Sequence, residues 1–468
     1  MFTPFCEEIA HFSRARAAIV DLCMRLSEIN ETLRKIRVSP VKTLGQNFLH
    51  DRNLACWIVR QAEITPGDYV VEIGPGLGAL TEFLLDSGAH VLAIEKDARL
   101  ANFLRGKFHD RQLEVLQADA LKFDTQKLFA QRNVKLVGNF PYYISSQLVL
   151  KFIHFPSPIC LLVLMLQKEM ARRFSASPST SAYGALTLQV QLHYRVKYLR
   201  TVRATVFFPK PAVDSAVVRV APRDPFELPE CDYGVLPKLI RRGFSQRRKQ
   251  LGKLLRQELP CWNDAAKTLG FNPAARAENL SLQQWIGLTN FIAPLSVSED
   301  PSRQMERFPV VDQSDRVLGS ASRAKVHGNN LRHRAVHILI FNDAGEVYLQ
   351  KRSRRKDRHP LLWDSSAAGH VDAGEEYDEA ARRELKEELE IDIALEKVLK
   401  LPASERTGQE FIWLYRGQHT GALQFNRSEI EHGDFFPVAL VSDWLAGRPE
   451  DFAPGFAECW KAYCESKP

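Results

Sequence analysis

The stretch Val70-Val71-Glu72-Ile73-Gly74-Pro75-Gly76-Leu77-Gly78 restricts the fold more than any other part of this 468-residue chain. Its apolar start reads as a buried strand. The glycines that follow allow a tight turn and let a ligand come close to the backbone. A helix is predicted over 79–87, behind the turn. An acid, Glu95, closes the next apolar run, Val91-Leu92-Ala93-Ile94. A carboxylate there accepts hydrogen bonds from two ribose hydroxyls. The pair predicts a nucleoside-containing cofactor lying across the carboxyl ends of parallel strands. Gly74-x-Gly76-x-x-Ala79 also fits the dinucleotide fingerprint, and a purely structural turn has a similar composition. This stretch alone leaves the cofactor open.

Strands are predicted at 69–73, 90–95, 113–117 and 134–138, with helices at 53–62, 79–87, 97–108 and 125–130. That alternation predicts an α/β domain with a doubly wound parallel sheet. Asp119 follows the third strand, where its carboxylate either takes an adenine amino group or caps a turn. Gly138-Asn139-Phe140-Pro141-Tyr142-Tyr143 follows the fourth. An exocyclic aromatic amine is a poor nucleophile, because its lone pair is delocalised into the ring. The Asn139 side-chain oxygen and a rigid backbone carbonyl beside Pro141 are placed to accept its hydrogens. Tyr142 offers a face on which a base stacks, worth about 1–3 kcal/mol. Read in isolation, the same residues also make an ordinary turn.

Charge divides the chain. The net +7 is the sum of +11 over residues 1–300 and −4 over residues 301–468. A basic front part predicts a polyanionic partner. The run Arg241-Arg242-Gly243-Phe244-Ser245-Gln246-Arg247-Arg248-Lys249, with Lys253 and Arg256, is predicted to lie on a helix within a helical tail over 225–295. A solvated basic face is the bland alternative. The eight cysteines are dispersed and form no C-x-x-C pair, which argues against zinc and dithiol chemistry and fits a reducing cytoplasm. No apolar run is long enough to span a bilayer, so no membrane partner is expected. The first 26 residues mix acids and arginines and do not read as a secretory signal. Ile9, Phe12, Ile19, Leu22 and Leu26 are loosely helical, so residues 1–38 are expected to form a helical extension.

Residues 41 to about 290 resemble the small-subunit ribosomal RNA adenine N6-dimethyltransferase family. The matching pieces come in order: Gly45-Gln46-Asn47-Phe48-Leu49, Glu72 to Gly78, Glu95, Asp119-Ala120, Asn139-Phe140-Pro141-Tyr142, Gln167-Lys168-Glu169, Tyr183-Gly184, Phe207-Phe208-Pro209-Lys210-Pro211-x-Val213-Asp214-Ser215, Phe244 to Lys249, and Arg276-Ala277-Glu278-Asn279-Leu280-Ser281. Phe140 stands where the family usually has Leu or Ile. The resemblance implies S-adenosylmethionine as methyl donor, bound by Gln46, Asn47, Leu49, Gly74, Gly76, Glu95, Asp119 and Asn139. It implies a catalytic set of Asn139, Phe140, Pro141 and Tyr142, and RNA contacts from Arg247, Arg248 and Lys249. The implied substrate is small-subunit rRNA in a pre-30S particle, two methyls going to each of two adjacent adenines in the 3′-terminal hairpin. The related large-subunit class shares the donor turn and the Asn-x-Pro-Tyr motif. The 207–215 and 276–281 stretches favour the small-subunit class.

Residues 296–307 have linker composition, and a second domain is expected over 308–468. Its centre runs from Gly369-His370 through Glu375 and Arg383-Glu384-Leu385 to Glu387-Glu388. Helical spacing puts Glu384, Glu387 and Glu388 on one face. Three carboxylates packed together repel unless a cation sits among them, and oxygen-rich sets suit Mg²⁺ or Mn²⁺. Such an ion neutralises a diphosphate and activates a water. The alternative for so charged a helix is a solvated face. The register resembles the Nudix hydrolase box, with Glu390 where the box usually has Gly. It implies an α/β/α sandwich that hydrolyses a small diphosphate-containing substrate, with Glu384, Glu387 and Glu388 as metal ligands. Glu410, Glu429 and Glu431 are candidates for a further ligand or base. The region before the box resembles the isopentenyl-diphosphate isomerase branch, but Asp364 to His370 holds no cysteine for that chemistry. Lys351, Arg352, Arg354, Arg355 and Lys356 are either diphosphate contacts or solvated. A non-catalytic docking module is the remaining alternative. The expected order is thus a helical extension (1–38), a Rossmann-like methyltransferase domain (39–224), a helical RNA-binding subdomain (225–295), a linker and the Nudix domain.

Overall fold

The structure, a computed structural model, describes residues 26–40, 46–154, 156–294, 306–421 and 423–466. The chain divides into two compact units. One comprises residues up to 295 except 129–131, and the other comprises those three and the residues from 296 onward. Of the expected N-terminal extension, Leu26–Lys35 is helical, with Ile29 and Leu33 buried. Residues 1–25 and Gly45 lie outside the described residues.

In chain order the first unit contains α1 (Leu26–Lys35), β1 (Phe48–Leu49), α2 (Arg52–Gln61), β2 (Tyr69–Ile73), α3 (Thr81–Asp86), β3 (His90–Glu95), α4 (Ala98–Lys107), β4 (Leu113–Gln117) and β5 (Val134–Asn139). It continues with α5 (Ser145–Phe152), β6 (Ile159–Gln167), α6 (Lys168–Phe174), α7 (Ala185–Gln191), β7 (Tyr194–Val202), β8 (Phe207–Phe208) and β9 (Ser215–Pro222). It ends with α8 (Leu236–Phe244), α9 (Leu251–Leu254), α10 (Trp262–Thr268) and α11 (Leu282–Ile292). The main sheet has the order β4-β3-β2-β5-β6-β9-β7. The first five strands are parallel, and the apolar runs of β3, β2, β5 and β6 are buried on both faces, as helices on two sides require, whereas the edge strand β4 is only partly buried. Val71, Ile73, Leu136 and Leu162 pack on one side, and Val70, Val137, Val163 and Met165 on the other.

Two local expectations change. The sheet is not wholly parallel: β9 runs antiparallel to β6, and β7 antiparallel to β9. Residues 203–214 join β7 to β9 without an α-helix, and a parallel pair would need a longer crossover. The segment expected as a helix at 125–130 is a 3₁₀ stretch, Thr125–Ala130.

The second unit contains β10 (Arg307–Val311), β11 (Val317–Ser322), α12 (Arg323–Gly328), β12 (His333–Phe341), β13 (Val347–Arg352), β14 (Trp363–Asp364), β15 (Ala367–His370) and α13 (Tyr377–Leu389). It closes with β16 (Glu396–Leu401), β17 (Glu410–Gln418), β18 (Ile430–Phe436), α14 (Val438–Gly447) and α15 (Pro454–Glu465). Its mixed sheet runs β14-β13-β12-β17-β16, with β15 beside β12 and β18 beside β13. Alternation along β12 decides the layers. Val336, Ile338 and Ile340 join Ala381, Leu385 and Leu389 of α13 in one core. Ala335, Leu339 and Phe341 join Trp444 of α14 and Trp460 of α15 in the other. Among the described residues, no helix is long and apolar enough to cross a membrane.

The helix α13 stops where a glycine would normally stop it. Glu390 takes the left-handed conformation, φ 56°, and its N–H bonds to the Lys386 carbonyl. A side chain there costs about 1–2 kcal/mol that glycine does not incur, partly offset by glycine's freer unfolded chain. Glu390→Gly should therefore stabilise the second unit by about 0.5–1 kcal/mol. Denaturant unfolding of the full chain measures this.

Candidate donor and metal sites

Register assembles the first site. β2 pairs with β3 so that Ile73 lies opposite Ile94, and with β5 so that Ile73 lies opposite Gly138. The glycine turn, Glu95 and Asn139 therefore emerge side by side at the carboxyl end of the sheet, where the strand order reverses. Gly74 N–H bonds to the Ile94 carbonyl at 3.0 Å. Gly76 has φ 59°, and a Cβ there would lie 3.0 Å from the Phe48 ring. The Glu95 carboxylate is buried. It accepts from Gly76 N at 3.2 Å and from Asp97 N at 2.9 Å, and burial raises its pKa. This cradle, open at glycines and floored by a fixed carboxylate, fits the ribose of S-adenosylmethionine. Asp119 lies two residues beyond β4, which pairs with β3. It accepts from Lys96 at 2.9 Å and from Leu121 N at 3.0 Å, and the Lys96 bond holds its pKa down.

The catalytic candidates are tied in from two directions. Asn139 Nδ2 donates to the Asn47 carbonyl at 3.0 Å. With the nitrogen so committed, the side-chain oxygen remains as an acceptor. Gln46 and Asn47 enter β1, where Phe48 and Leu49 pair with Phe208 and Phe207. Tyr142 shares a 2.6 Å hydrogen bond with Ser215, which fixes the ring, and burial raises the pKa of its phenol. The 207–215 stretch thus holds both the Asn47 segment and Tyr142. Phe140 can contribute to the site only through its backbone. Its side chain is 1% exposed and packs in the core, so only its backbone carbonyl, beside Pro141, can face a substrate amine.

The basic run is also corrected. Helix α8 ends at Phe244, and Ser245 to Lys249 form a turn, not a helix. Arg247 is half exposed but also makes contacts within the protein: it donates to Glu278 at 2.7 Å and to the Ser181 carbonyl at 2.6 Å. Arg248 and Lys249 are exposed.

One acid was named only as part of the turn. Glu72 is 1% exposed, accepts from Thr81 Oγ1 at 2.6 Å, and is pushed to about 8 by burial and by Glu95. Its position inside a strand was the available signal.

In the second unit, Glu384, Glu387 and Glu388 line one cavity of about 1380 Å³. Glu384 and Glu388 are buried in it, whereas Glu387 is 58% exposed. Burial, with the Glu388 charge, raises Glu384 to about 7. Arg383 bonds to Glu375 through two nitrogens at 2.9 Å each, and also to Glu384 at 2.7 Å and Glu387 at 3.3 Å. Strand β15 lies so close that a Cβ on Gly369 would sit 2.0 Å from the Glu384 carboxyl carbon. A side chain at Gly369 would push the Glu384 carboxylate from its present place. The oxygen-only set fits Mg²⁺ or Mn²⁺. Of the basic candidates, Arg352, Arg355 and Lys356 line the cavity. Arg352 pairs with Asp364, and Arg354 with Glu431.

Sequence reasoning missed a second donor set. His327, His333 and His370 bring ring nitrogens within 4.8 Å of one another. Glu410 lies 3.3 Å from His370 and 3.5 Å from His333. Burial lowers His327 to about 3 and His370 to about 4, so both rings are uncharged at neutral pH, and their Nε2 atoms share a 3.3 Å hydrogen bond. Burial opposes ionisation of Glu410, but the adjacent His333 and His370 rings hold its pKa below the usual range. His333 Nε2 is buried without a hydrogen bond. Imidazoles with one carboxylate suit a transition ion such as Zn²⁺ better than Mg²⁺. The three histidines come from α12, β12 and β15, with no ligand spacing to announce them.

The Glu72 geometry carries a pH signature. A carboxylate whose folded pKa is raised contributes stability that is full below its unfolded value and is lost as pH rises through the folded one. For Glu72 that window runs from the ordinary carboxylate range to about 8. Glu72→Gln should flatten the loss of stability over this window, where one proton contributes at most ~1.4 kcal/mol per pH unit. Denaturant titrations across the window measure the slope.

Comparison with known proteins gives a family for each unit. Residues 39–294 match the family Ribosomal RNA adenine dimethylase, and residues 331–456 match the NUDIX domain. The Ribosomal RNA small subunit methyltransferase A of Prosthecochloris aestuarii is 41% identical over 254 residues, which cover 54% of this chain and 94% of that protein. Its namesake from Pseudomonas syringae is 40% identical over 260 residues, 55% of this chain and 96% of that one. Among solved structures, a dimethyladenosine transferase from Plasmodium falciparum is 28% identical, covers 52% of this chain and 95% of that chain, and has a TM-score of 0.45. The chain belongs to the ribosomal RNA adenine dimethylase family through residues 39–294 and carries a NUDIX hydrolase domain behind it.

Proposed function

We propose that the first unit dimethylates two adjacent adenines in the 3′-terminal hairpin of small-subunit rRNA within a pre-30S particle. The second unit is a divalent-ion-dependent pyrophosphohydrolase for a small diphosphate. The relatives named as small-subunit methyltransferases support that choice over the large-subunit class. The observation that carries the chemistry is the Asn139–Asn47 hydrogen bond, which leaves the amide oxygen as the acceptor for the target amine.

Bound S-adenosylmethionine supplies an electrophilic methyl carbon. Asn139 and the Phe140 carbonyl accept the two hydrogens of the adenine N6 amine, which concentrates its lone pair toward that carbon. Tyr142, held by Ser215, stacks on the base after it has left its own stack. The donor, when bound, would pass its methyl to the amine so aligned, and the methylated amine would release its proton to water. No strong base is required, and most of the acceleration comes from alignment. Glu95 holds the donor ribose and Asp119 its adenine. Arg248 and Lys249 contact phosphates, while Arg247 braces the loop that carries them.

In the second unit Glu384, Glu387 and Glu388 hold the ion, and Arg383 orients the helix that bears them. The reading as a hydrolase is favoured over the isomerase branch because no cysteine lies between Asp364 and His370.

One pair of variants tests both halves. Asn139→Ala should lower methyl transfer to small-subunit particles by about 10²–10³-fold, with donor affinity changed far less. Glu387→Gln should abolish diphosphate hydrolysis and leave methylation intact. Full-rate methylation by the first variant, or hydrolysis by the second, contradicts the respective half.

A further inference from the structure

The box acids are not equally available to an ion. Glu388 is 2% exposed, and its Oε2 accepts from Gln350 Nε2 at 2.9 Å and from Ala368 N at 3.1 Å. That oxygen is committed to the protein. The other, Oε1, faces Lys356 Nζ at 3.4 Å. The same ammonium is paired with Glu429, which the sequence marks as a possible extra ligand. Lys356 is nearly buried, with 10% of its side chain exposed, and it lines the same cavity as Glu384 and Glu387. Its loop is fastened to the Glu429 loop by Ser353 N donating to the Glu429 carbonyl at 2.8 Å. The Glu429 loop is fastened to α13 by Asn426 N donating to the Glu388 carbonyl at 2.9 Å. The lysine is therefore held against the carboxylates by the architecture of three segments.

We infer that Lys356 is a built-in counter-ion of the box: it holds the Glu388 oxygen that a divalent ion must take, is displaced by that ion, and then binds the diphosphate the ion brings. This rests on the reading of Glu384, Glu387 and Glu388 as the ion site. Two like charges cannot share Glu388 Oε1 in a buried site, so ion and ammonium compete for it. A displaced Lys356 stays tethered beside the cavity. A compact ammonium on a four-carbon stem suits a phosphate that is already neutralised in part by the ion. Lys356 is a positioning residue toward the ion and a binding residue toward the substrate. Substrate is thereby favoured only after the ion is in place, because before that the lysine is engaged with its own acids.

The test uses the full chain, with Mn²⁺ followed by its paramagnetic signal and methylenediphosphonate as a diphosphate that cannot be hydrolysed. The part of Mn²⁺ binding that Glu387→Gln removes defines the box site and separates it from the histidine cluster. Lys356→Met should bind Mn²⁺ at the box about tenfold more tightly, and, at saturating Mn²⁺, bind methylenediphosphonate about tenfold more weakly. Lys356→Arg, which keeps the charge, should stay near the wild type in both. Lys356→Gln should repeat both shifts of the methionine variant, which guards against a folding defect peculiar to methionine. A merely structural lysine does not give opposite shifts in ion and diphosphonate affinity. Unchanged or weaker Mn²⁺ binding by Lys356→Met, or unchanged diphosphonate binding, overturns the inference. Mn²⁺ binding that Glu387→Gln leaves untouched overturns the reading of the box beneath it.

Discussion

The parallel pairing of β2 with β3 on one side and β5 on the other is the constraint on which the first unit's chemistry depends. It fixes three strand ends in one line: a glycine turn, a buried carboxylate and an amide. None of the three would be informative alone. A one-residue slip in either pairing would move Glu95 or Asn139 to the opposite face of the sheet. The apolar residues buried on both faces of these strands prevent that slip. Core packing and donor recognition are therefore one problem, and the strands that hold the core also hold the site.

Charge plays the corresponding part in the second unit. Glu384 and Glu388 are buried at one end of an apolar helix face, and isolated buried carboxylates are costly. Arg383 supplies one compensating charge and Lys356 another. The same need for positive charge makes the place attractive to a divalent ion. The histidine cluster opens on the same cavity with a softer donor set, so one hollow offers two chemically distinct coordination environments.

Much of this was legible in the chain, and what was not has physical causes. Glycine turns, strand-end acids and the register of Glu384, Glu387 and Glu388 are local, and local geometry follows from spacing. Arg383 and its partner Glu375 lie within the same short stretch. Three-dimensional neighbours were harder. Arg247 looks like a phosphate contact within its basic run, yet it bridges to Glu278 and Ser181, far away in sequence. Phe140 sits inside a catalytic motif, but its side chain serves the core. His327, His333 and His370 carry no spacing signal because the fold, not the segment, brings them together. Glu390 ends α13 in the left-handed conformation that a glycine would adopt without strain.

The most direct measurement is a crystal structure of the full chain with S-adenosylhomocysteine. The account predicts both ribose hydroxyls within about 3.2 Å of the Glu95 carboxylate, the adenine amino group at Asp119, and the sulfur facing Asn139. A ligand whose ribose lies away from Glu95, or whose sulfur points away from Asn139, would contradict it.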